Sequence, residues 1–432
     1  MVQKVAETGS YRDPDGRVER YDGKIRRVLF ATDDYNNLMR SGLYDSLVDK
    51  GLLVPHTEVD AGTIEPETVE FISYPYEWAF NSLKGAALAT LDAALIALEH
   101  NMMLKDASAF NVQWHKGKWC IIDTLSFTTY KEGEPWMAYV QFLQQFLYPL
   151  LFRRHNVPYN RYDLEGITQR SAIHALPRRL MLNPKLAPNI YPASITSWNG
   201  SRGWKKPRVS RLQLEGFLTY LRHTIAALKH KPQKGWVEYD AFSYQDEDHH
   251  AKERAMMWLL VAARGNAIDI GANTGEYTEL ARKCNLNTIA IDNDHDCANA
   301  VAPLSLWADI CNPSPALGWG NSEREGLLER LQGFGGTVIA LALLHHLCIG
   351  RNVPISMVLD VFASIGPDLI VEFVPPSDPM AEILGRGRVF PPYNKEIFTR
   401  ELEKRYRVLD IIPIRDTGRA IYHAAKPEHK YP

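Results

Sequence analysis

The sequence predicts an α/β fold in its C-terminal part, preceded by a region that mixes strands and helices. From about residue 236 onward, short apolar strand patterns alternate with helical ones, which is typical of a parallel sheet with helices on both faces. Upstream of this part, strand patterns come first and mostly helical patterns follow. A chain of 432 residues is long enough for two or three domains. We therefore predict two domains, residues 1–232 and residues 233–432.

Each element of the C-terminal part follows from a local pattern. Two short apolar runs are each followed by a helical pattern, and two further apolar runs are unbroken, as expected for parallel strands buried on both faces. Two later runs joined by a turn at Asp416–Gly418 predict an antiparallel hairpin. The predicted strands are Ala267–Ile270, Asn287–Ile291, Thr337–Leu344, Asp368–Val374, Tyr406–Ile414 and Arg419–Ala424, and the predicted helices are Tyr277–Lys283 and Asp296–Val301.

Composition and charge narrow the function classes. The chain is 45% hydrophobic and 23% charged, with 49 Lys+Arg against 51 Asp+Glu, so a nucleic-acid partner is disfavoured. The five cysteines form no C-x-x-C pair, which indicates a reduced protein without a structural metal. The first 24 residues contain no apolar signal segment, and the most apolar stretch, Gly85–Leu98, is too short to span a bilayer. We therefore predict a cytoplasmic protein without a membrane span.

A glycine-containing loop follows the first predicted strand of the C-terminal part. It reads Asp269-Ile270-Gly271-Ala272-Asn273-Thr274-Gly275, a G-x-x-x-G pattern rather than the G-x-G-x-x-G of nicotinamide-binding loops. The bulkier residues between the glycines disfavour close approach of a phosphate, whereas the acid suits a ligand that carries an amino group and a sulfonium. Asp292 ends the second strand, where it can accept hydrogen bonds from ribose hydroxyls. Asp309, in Trp307-Ala308-Asp309, offers a carboxylate to an adenine amino group.

This set of residues resembles the class I S-adenosylmethionine-dependent methyltransferases, over about residues 239–426. The resemblance implies a Rossmann-like sheet of seven strands whose last two form an antiparallel hairpin, with S-adenosyl-L-methionine as the cofactor. It also implies a cofactor contact for Tyr244, which lies upstream of the first strand; a packing role is the alternative for this aromatic. The implied cofactor residues are Tyr244, Asp269, Gly271, Asn273, Gly275, Asp292 and Asp309.

Three residues are candidates for the reacting end of the site. His345 and His346 follow the predicted fourth strand, and in the family that it resembles the residue leaving this strand faces the methyl group. A histidine there is a candidate general base, because its unperturbed pKa is about 6.5. The alternative is that both histidines only pack the cofactor loop. Glu372 is a charged residue in an apolar strand, so it needs either a role in the acceptor pocket or a structural ion pair.

The N-terminal part has a kinase-like outline. Asp106 and Asn111 are five residues apart, and an apolar strand then ends in Asp123, which is the spacing of a protein-kinase catalytic loop and its magnesium-binding acid. The preceding order also fits, with two paired strands, a helix, a strand leading to a hinge and a long helix. We predict these elements at Arg17–Tyr21, Lys24–Phe30, Tyr35–Lys50, Val69–Tyr74 and Leu83–His100.

The N-terminal part also departs from the kinase pattern. No three-glycine loop precedes Arg17, and the strand that should present a lysine to the phosphates offers Arg26 and Arg27. Asp123 is followed by Thr124-Leu125 rather than Phe-Gly. We therefore expect a degenerate kinase-like domain that holds substrate or regulates, and we expect Mg²⁺ and ATP only if it is active. A phosphate-transferring domain is the alternative.

A basic stretch lies between the two parts. Its cations are interleaved with two tryptophans, which can grip single-stranded nucleic acid or a sugar phosphate; a solvated surface is the alternative. The stretch contains Arg202, Lys205, Lys206, Arg208 and Arg211, with Trp198 and Trp204.

Nearly the whole chain resembles one bacterial family of class I methyltransferases. The resemblance lies in Leu104–Asn111, Ile121–Phe127, Gly133–Trp136 and Ala342–Leu347 with Asn352-Val353-Pro354, and the family includes a host-specific nodulation protein of rhizobia. The predicted function is methyl transfer to a small-molecule or glycoconjugate acceptor, with O-methylation favoured. The alternatives are a bifunctional kinase-methyltransferase acting on a sugar, an RNA or protein methyltransferase that uses the basic stretch, and a scaffold that binds the cofactor without turnover.

Overall fold

The computed structural model describes residues 4–30, 32–190, 208–232, 246–301 and 305–427. The chain forms two compact units. The N-terminal unit comprises Met1–Lys231 together with Leu317–Arg324, and the C-terminal unit comprises Pro232–Ala316 and Glu325–Pro432. The short segment Leu317–Arg324 thus lies in the N-terminal unit, although its neighbours in sequence lie in the other unit.

The N-terminal unit begins with a five-stranded antiparallel sheet in the order β1-β2-β3-β5-β4. Two small antiparallel pairs follow, β6 with β9 and β7 with β8. The strands are β1 Lys4–Ala6, β2 Gly16–Tyr21, β3 Lys24–Leu29, β4 His56–Asp60, β5 Thr63–Pro66, β6 Met102–Leu104, β7 Val112–His115, β8 Lys118–Ile121 and β9 Phe127–Thr129.

The helices of this unit include α3, which is apolar on nearly all sides and therefore buried, and against which α2, α5 and α8 pack. The helices are α1 Thr32–Arg40, α2 Leu43–Lys50, α3 Phe80–Glu99, α4 Tyr139–Phe142, α5 Tyr148–Arg154, α6 Gln169–Ala175, α7 Ala187–Ile190 and α8 Arg211–Ala227. The paired strands, the long helix and the β6–β9 and β7–β8 pairs around the Asp106 loop confirm the predicted kinase-like outline.

Two element predictions in this unit were wrong. The predicted helix Tyr35–Lys50 is two helices, because the chain turns at Gly42, whose φ is +75°. The predicted strand Val69–Tyr74 is irregular. The Gln113 amide satisfies the backbone of Ser73 in place of a neighbouring strand, since it accepts from the Ser73 N–H at 2.9 Å and donates to the Ser73 carbonyl at 2.8 Å.

The C-terminal unit contains a seven-stranded sheet in the order β12-β11-β10-β13-β14-β16-β15. The first five strands of that order are parallel, and the last two join antiparallel, which confirms the predicted sheet and its hairpin. The strands are β10 Asn266–Ile270, β11 Asn287–Asp292, β12 Ser305–Trp307, β13 Thr337–Ala340, β14 Asp368–Phe373, β15 Arg407–Pro413 and β16 Ala420–Ala425.

Helices accompany this sheet, and the order reverses between β10 and β13, where parallel α/β sheets open a crevice for ligands. The helices are α9 Asp246–Ala262, α10 Glu276–Lys283, α11 His295–Ala300, α12 Leu327–Phe334, α13 Ile355–Ile365, α14 Pro379–Gly385 and α15 Lys395–Glu403. Among the helices that the structure describes, none is both long and apolar enough to cross a membrane.

The strand predicted at Thr337–Leu344 is shorter than expected. It ends at Ala340, and Ala342 adopts a φ of +48°, which is uncommon for a residue with a side chain. The apolar run therefore does not continue as a strand but bends at the edge of the crevice.

Candidate active site

A cavity of about 370 Å³ opens at the carboxyl ends of β10, β11 and β13, at the point where the strand order reverses. The loop after β10, the end of β11, the segment after β12 and the bend after β13 form its walls. The structure brings seven of the predicted residues together in this lining, namely Asp269, Gly271, Asn273, Asp292, Asp309, His345 and His346. Tyr244 lies outside the described residues.

The loop after β10 needs its glycines for two separate reasons. Gly271 has a φ of +76°, and a Cβ there would lie 3.0 Å from Leu343. Gly275 has a φ of +88° and precedes α10, where a Cβ would lie 2.8 Å from Val301. Both positions are therefore restricted to glycine by backbone conformation and by space. The two glycines therefore allow the backbone conformation in which the loop lines the cavity.

Two carboxylates lie at the base of this loop, the buried Asp269 and the partly buried Asp292. Asp292 accepts a hydrogen bond from the Asn273 N–H at 2.8 Å and one from the Asp294 N–H at 2.8 Å, so it fixes the loop to the end of β11. Asp269 accepts from the Thr278 hydroxyl at 2.5 Å. Burial, together with a neighbouring carboxylate, raises the pKa of each acid to about 6. A cationic ligand in the cavity would stabilise the ionised form of both.

Asp309 also lines the cavity, in the segment after β12. Its carboxylate accepts from the Cys311 N–H at 2.9 Å and pairs with Arg351 at 3.1 Å. Both contacts fix the orientation of the carboxylate, so that it can accept a hydrogen bond from a ligand.

The two histidines after β13 are close together, with ring centroids 4.2 Å apart. His345 is 1% exposed, and neither of its ring nitrogens has a hydrogen-bond partner among the described residues. Burial, His346 and the cations Arg419 and Lys252 hold the pKa of His345 well below its usual range. Burial lowers the pKa of His346 to about 4. Both rings are therefore neutral near pH 7.

Glu372 is completely buried in β14 and forms ion pairs. Its carboxylate contacts Lys252 at 2.8 Å and Arg419 at 3.5 Å, and it accepts from the Ala342 N–H at 3.0 Å. The last bond holds the left-handed backbone of Ala342, three residues before His345. Of the two interpretations that the sequence left open, this geometry favours the ion pair, and through it a positioning role for Glu372.

Two cations of this cavity were not predicted from the sequence. Lys252, on α9, is 3% exposed, and its ammonium lies 4.9 Å from the centre of the Tyr277 ring. Although burial lowers it, the Glu372 carboxylate raises the pKa of Lys252 overall, so it stays charged. Arg419, just before β16, also contacts Asp378 at 2.7 Å. Lys252 lies in a helix, and a helical pattern does not show which of its lysines are buried. Arg419 lies next to the predicted hairpin turn, and this position could have indicated a residue of the site.

The structure also brings the kinase-like residues of the N-terminal unit together. Asn111 donates to Asp106 at 3.0 Å, in the loop between β6 and β7. Asp123 follows β8 and forms an ion pair with Arg27 at 2.7 Å. The backbone bond from the Ile122 N–H to the Asn111 carbonyl, at 2.9 Å, links this loop to the chain next to Asp123, and we call the place where these residues meet the kinase-like cleft. The acid predicted to bind magnesium already has a cationic partner there.

Most of the basic stretch, including Arg202, Lys205, Lys206 and both tryptophans, lies outside the described residues. Arg211 is described and pairs with Glu215 at 2.9 Å, at the start of α8.

Comparisons with known proteins find a sequence relative over nearly the whole chain. No protein-family model matches it. The nodulation protein NoeA of Rhizobium meliloti (strain 1021) is 31% identical over 459 residues, which cover 97% of this chain and 96% of NoeA.

Solved structures match over less than half of the chain. The bifunctional kinase-methyltransferase WbdD has a TM-score of 0.29 and 16% identity, over 44% of this chain and 42% of its own, so the match spans less than half of WbdD. Magnesium protoporphyrin IX methyltransferase (ChlM) from Synechocystis PCC 6803 has a TM-score of 0.30 and 15% identity, over 45% of this chain and 86% of its own. A SAM-dependent methyltransferase from Archaeoglobus fulgidus has a TM-score of 0.31 and 14% identity, over 45% of this chain and 100% of its own.

The order of the seven strands, the glycine loop after β10 and the acid that ends β11 define a class I methyltransferase fold, preceded here by a kinase-like unit. The chain belongs to the family of the nodulation protein NoeA.

Proposed function

We propose that the C-terminal unit is an S-adenosylmethionine-dependent methyltransferase whose acceptor is a hydroxyl of a small molecule or glycoconjugate. The observation that carries this proposal is one cavity that holds both the glycine loop with its acids and an unpartnered neutral histidine. The first part suits a cationic nucleoside, and the second suits a reaction in which a proton must leave the acceptor.

The residues present fit the cofactor. Asp292 would accept hydrogen bonds from the ribose hydroxyls, because it ends β11 at the switch point of the sheet. Asp309 would accept from the adenine amino group, and the negative charge of Asp269 would favour the ammonium group. When bound, S-adenosylmethionine supplies a methyl group activated by the sulfonium.

The histidines and the buried charges would serve the removal of the proton from the acceptor hydroxyl. His345 would accept the proton of the acceptor hydroxyl at a ring nitrogen, since it is neutral and its nitrogens lack partners among the described residues. His345 is 1% exposed, so its ring is shielded from bulk water. Glu372 would hold the bend that carries His345, and Lys252 and Arg419 would fix Glu372 in turn.

Replacing Asp292 with asparagine is expected to lower the affinity for S-adenosylmethionine by about tenfold to a hundredfold at pH 7.5, because a charged hydrogen-bond acceptor is lost. The wild-type affinity should also fall as the pH drops below about 6, where Asp292 takes up a proton, and this dependence should weaken in the variant. Isothermal titration calorimetry between pH 5.5 and pH 8 measures both effects, at about half-unit intervals.

The matched control is Asp410→Asn, an exposed acid on the edge strand β15, which should bind the cofactor like the wild type. An Asp292→Asn variant with unchanged affinity would show that this carboxylate does not hold the cofactor.

The reaction itself is tested with cofactor labelled on the methyl group. Methyl glycosides and simple phenols serve as hydroxyl acceptors, and the corresponding amines serve as competitors. Release of S-adenosylhomocysteine that depends on a hydroxyl acceptor is the expected result. Cofactor binding without turnover on any of these compounds would favour the scaffold alternative, and turnover on the amines alone would contradict O-methylation.

A further inference from the structure

The cleft of the N-terminal unit holds the residues that bind metal and phosphate in protein kinases. In those enzymes, the acid after β8 and the catalytic-loop asparagine hold Mg²⁺, while a lysine on the third strand and a glycine-rich loop contact the phosphates. The corresponding residues here are Asp123, Asn111 and Arg27, and the corresponding loop is the β1–β2 connection. Their contacts show whether Mg²⁺ and ATP fit this chain.

The acid at the metal position is already paired. The guanidinium of Arg27, on β3, contacts Asp123 at 2.7 Å and also contacts Asp13. The side chains of Arg27 and Asp123 are only 10% and 13% exposed. An arginine does not lose its proton in a protein, so this cation is permanent. A Mg²⁺ ion would have to displace it from a half-buried ion pair.

A second cation lies beside the catalytic loop. Lys105 contacts Asp15 at 2.6 Å and Asp34 at 2.9 Å. The Lys105 ammonium lowers the pKa of Asp34 despite its burial, so that acid is ionised. Arg27 and Lys105 thus pair with four carboxylates between them, so these two ion-pair clusters carry a formal excess of two negative charges. This excess repels a triphosphate.

The β1–β2 connection carries acids where kinases have glycines. Asp13 and Asp15 lie in it, and their carboxylates reach the two cations that a nucleotide's phosphates would need. Glu323 also holds the connection in place, because it accepts a hydrogen bond from the Tyr11 hydroxyl at 2.7 Å and pairs with Arg12 at 2.9 Å. The arginine and tyrosine hold the pKa of Glu323 at about 2 despite its burial, so this clamp is charged at every physiological pH.

The segment Leu317–Arg324 that supplies this clamp also reaches the catalytic loop. The guanidinium of Arg324 lies 4.8 Å from the centre of the Phe110 ring, and Phe110 stands between Asp106 and Asn111. Asp106 itself accepts hydrogen bonds from Asn111, from the Ser108 N–H and from the Gln141 amide. The groups that would meet a substrate hydroxyl are thus already bonded within the unit.

From these contacts we propose that the kinase-like unit does not use Mg²⁺ and ATP, because the chain itself supplies the charges that both would bring. Arg27 takes the place of the metal ion at Asp123, and the carboxylates of Asp13 and Asp15 take the place of the phosphates. The unit is then a binding or structural domain with an internally occupied site. This inference concerns the N-terminal unit and stands independently of the methyl-transfer proposal.

Thermal unfolding of the full chain tests the proposal. The melting temperature of the wild type should not change with millimolar MgCl₂ alone or with MgCl₂ and ATP. The Arg27→Met variant should melt at least about 5 °C lower, because two partly buried carboxylates lose their cation. Millimolar MgCl₂ should then raise the melting temperature of this variant, since the freed carboxylates can bind the ion. The matched control is Arg20→Met on β2, whose arginine pairs with Glu7 at the surface and is 51% exposed.

Two results would overturn the proposal that the kinase-like unit does not use Mg²⁺ and ATP. A wild-type melting temperature that rises with MgCl₂ and ATP, and no longer rises in Asp123→Asn, would overturn the proposal. So would an Arg27→Met variant that is destabilised but insensitive to MgCl₂, because Arg27 would then not replace a metal ion. If Arg27→Met does not fold, equilibrium dialysis of the wild type against labelled ATP and MgCl₂ decides, with no binding expected at millimolar nucleotide.

Discussion

Replacing Glu372 with alanine is expected to destabilise the C-terminal unit by about 3–5 kcal/mol. The carboxylate is completely buried, and its removal leaves Lys252 and Arg419 with uncompensated charges in the protein interior. It also removes the acceptor that holds Ala342 in its left-handed conformation. Chemical denaturation followed by tryptophan fluorescence measures the change in the free energy of unfolding.

Two further variants show which interaction carries the effect. Glu372→Gln keeps a hydrogen-bond acceptor for the Ala342 N–H but removes the charge, so a similar loss in both variants assigns the effect to the ion pairs. Asp360→Ala is the surface control, since its carboxylate pairs with Arg405 at 2.6 Å but is 63% exposed, and we expect a loss below about 1 kcal/mol. Equal losses in Glu372→Ala and Asp360→Ala would contradict the role of burial.

Replacing His345 with alanine is expected to lower kcat by about 10²- to 10⁴-fold, the usual contribution of a general base. The affinity for S-adenosylmethionine should change little, because the acids of the glycine loop remain. Acceptor-dependent release of S-adenosylhomocysteine under saturating cofactor, together with calorimetry, separates these two quantities. His250→Ala, on the exposed side of α9, is the control and should retain wild-type activity.

The pH dependence gives an independent check of this role. Burial, His346 and two nearby cations hold the pKa of His345 well below its usual value of about 6.5, so the ring stays neutral in mildly acidic solution. At saturating cofactor, kcat should therefore not decline through an ordinary histidine titration near pH 6.5.

The same shift affects stability. The unfolded chain protonates this histidine near pH 6.5 whereas the folded chain does not, so the contribution of the neutral ring to stability is present above about pH 6.5 and is lost as the pH falls.

A kcat that falls in wild type and His250→Ala alike with an apparent pKa near 6.5 would contradict a buried neutral base. If His346→Ala abolished turnover while His345→Ala retained it, the general base would be His346 and not His345.

The positions of the cofactor loop and of the kinase-like loop were predictable because each is contiguous in sequence. Asp269-Ile270-Gly271-Ala272-Asn273-Thr274-Gly275 directly follows a strand, and the backbone conformation of its two glycines needs only local information. Asp106 and Asn111 are likewise close in sequence, and their hydrogen bond follows from that spacing. The end of β13 was not predictable, because an apolar run gives no signal of where the left-handed bend at Ala342 occurs.

The resemblance to the class I methyltransferases implied the seven-stranded sheet. By itself, the sequence determined the strand–helix alternation, the terminal hairpin and the acids that surround one loop. These features depend on periodicity and on neighbours a few residues apart. Only the tertiary structure decided that Glu372 faces Lys252 and Arg419, and that Arg27 neutralises Asp123. These partners lie far apart along the chain, and a charged residue looks the same in sequence whether it meets water or a buried counter-ion. Burial and pairing are properties of the packed chain, so the identity of the positioning groups and of the occupied kinase-like cleft came from the fold.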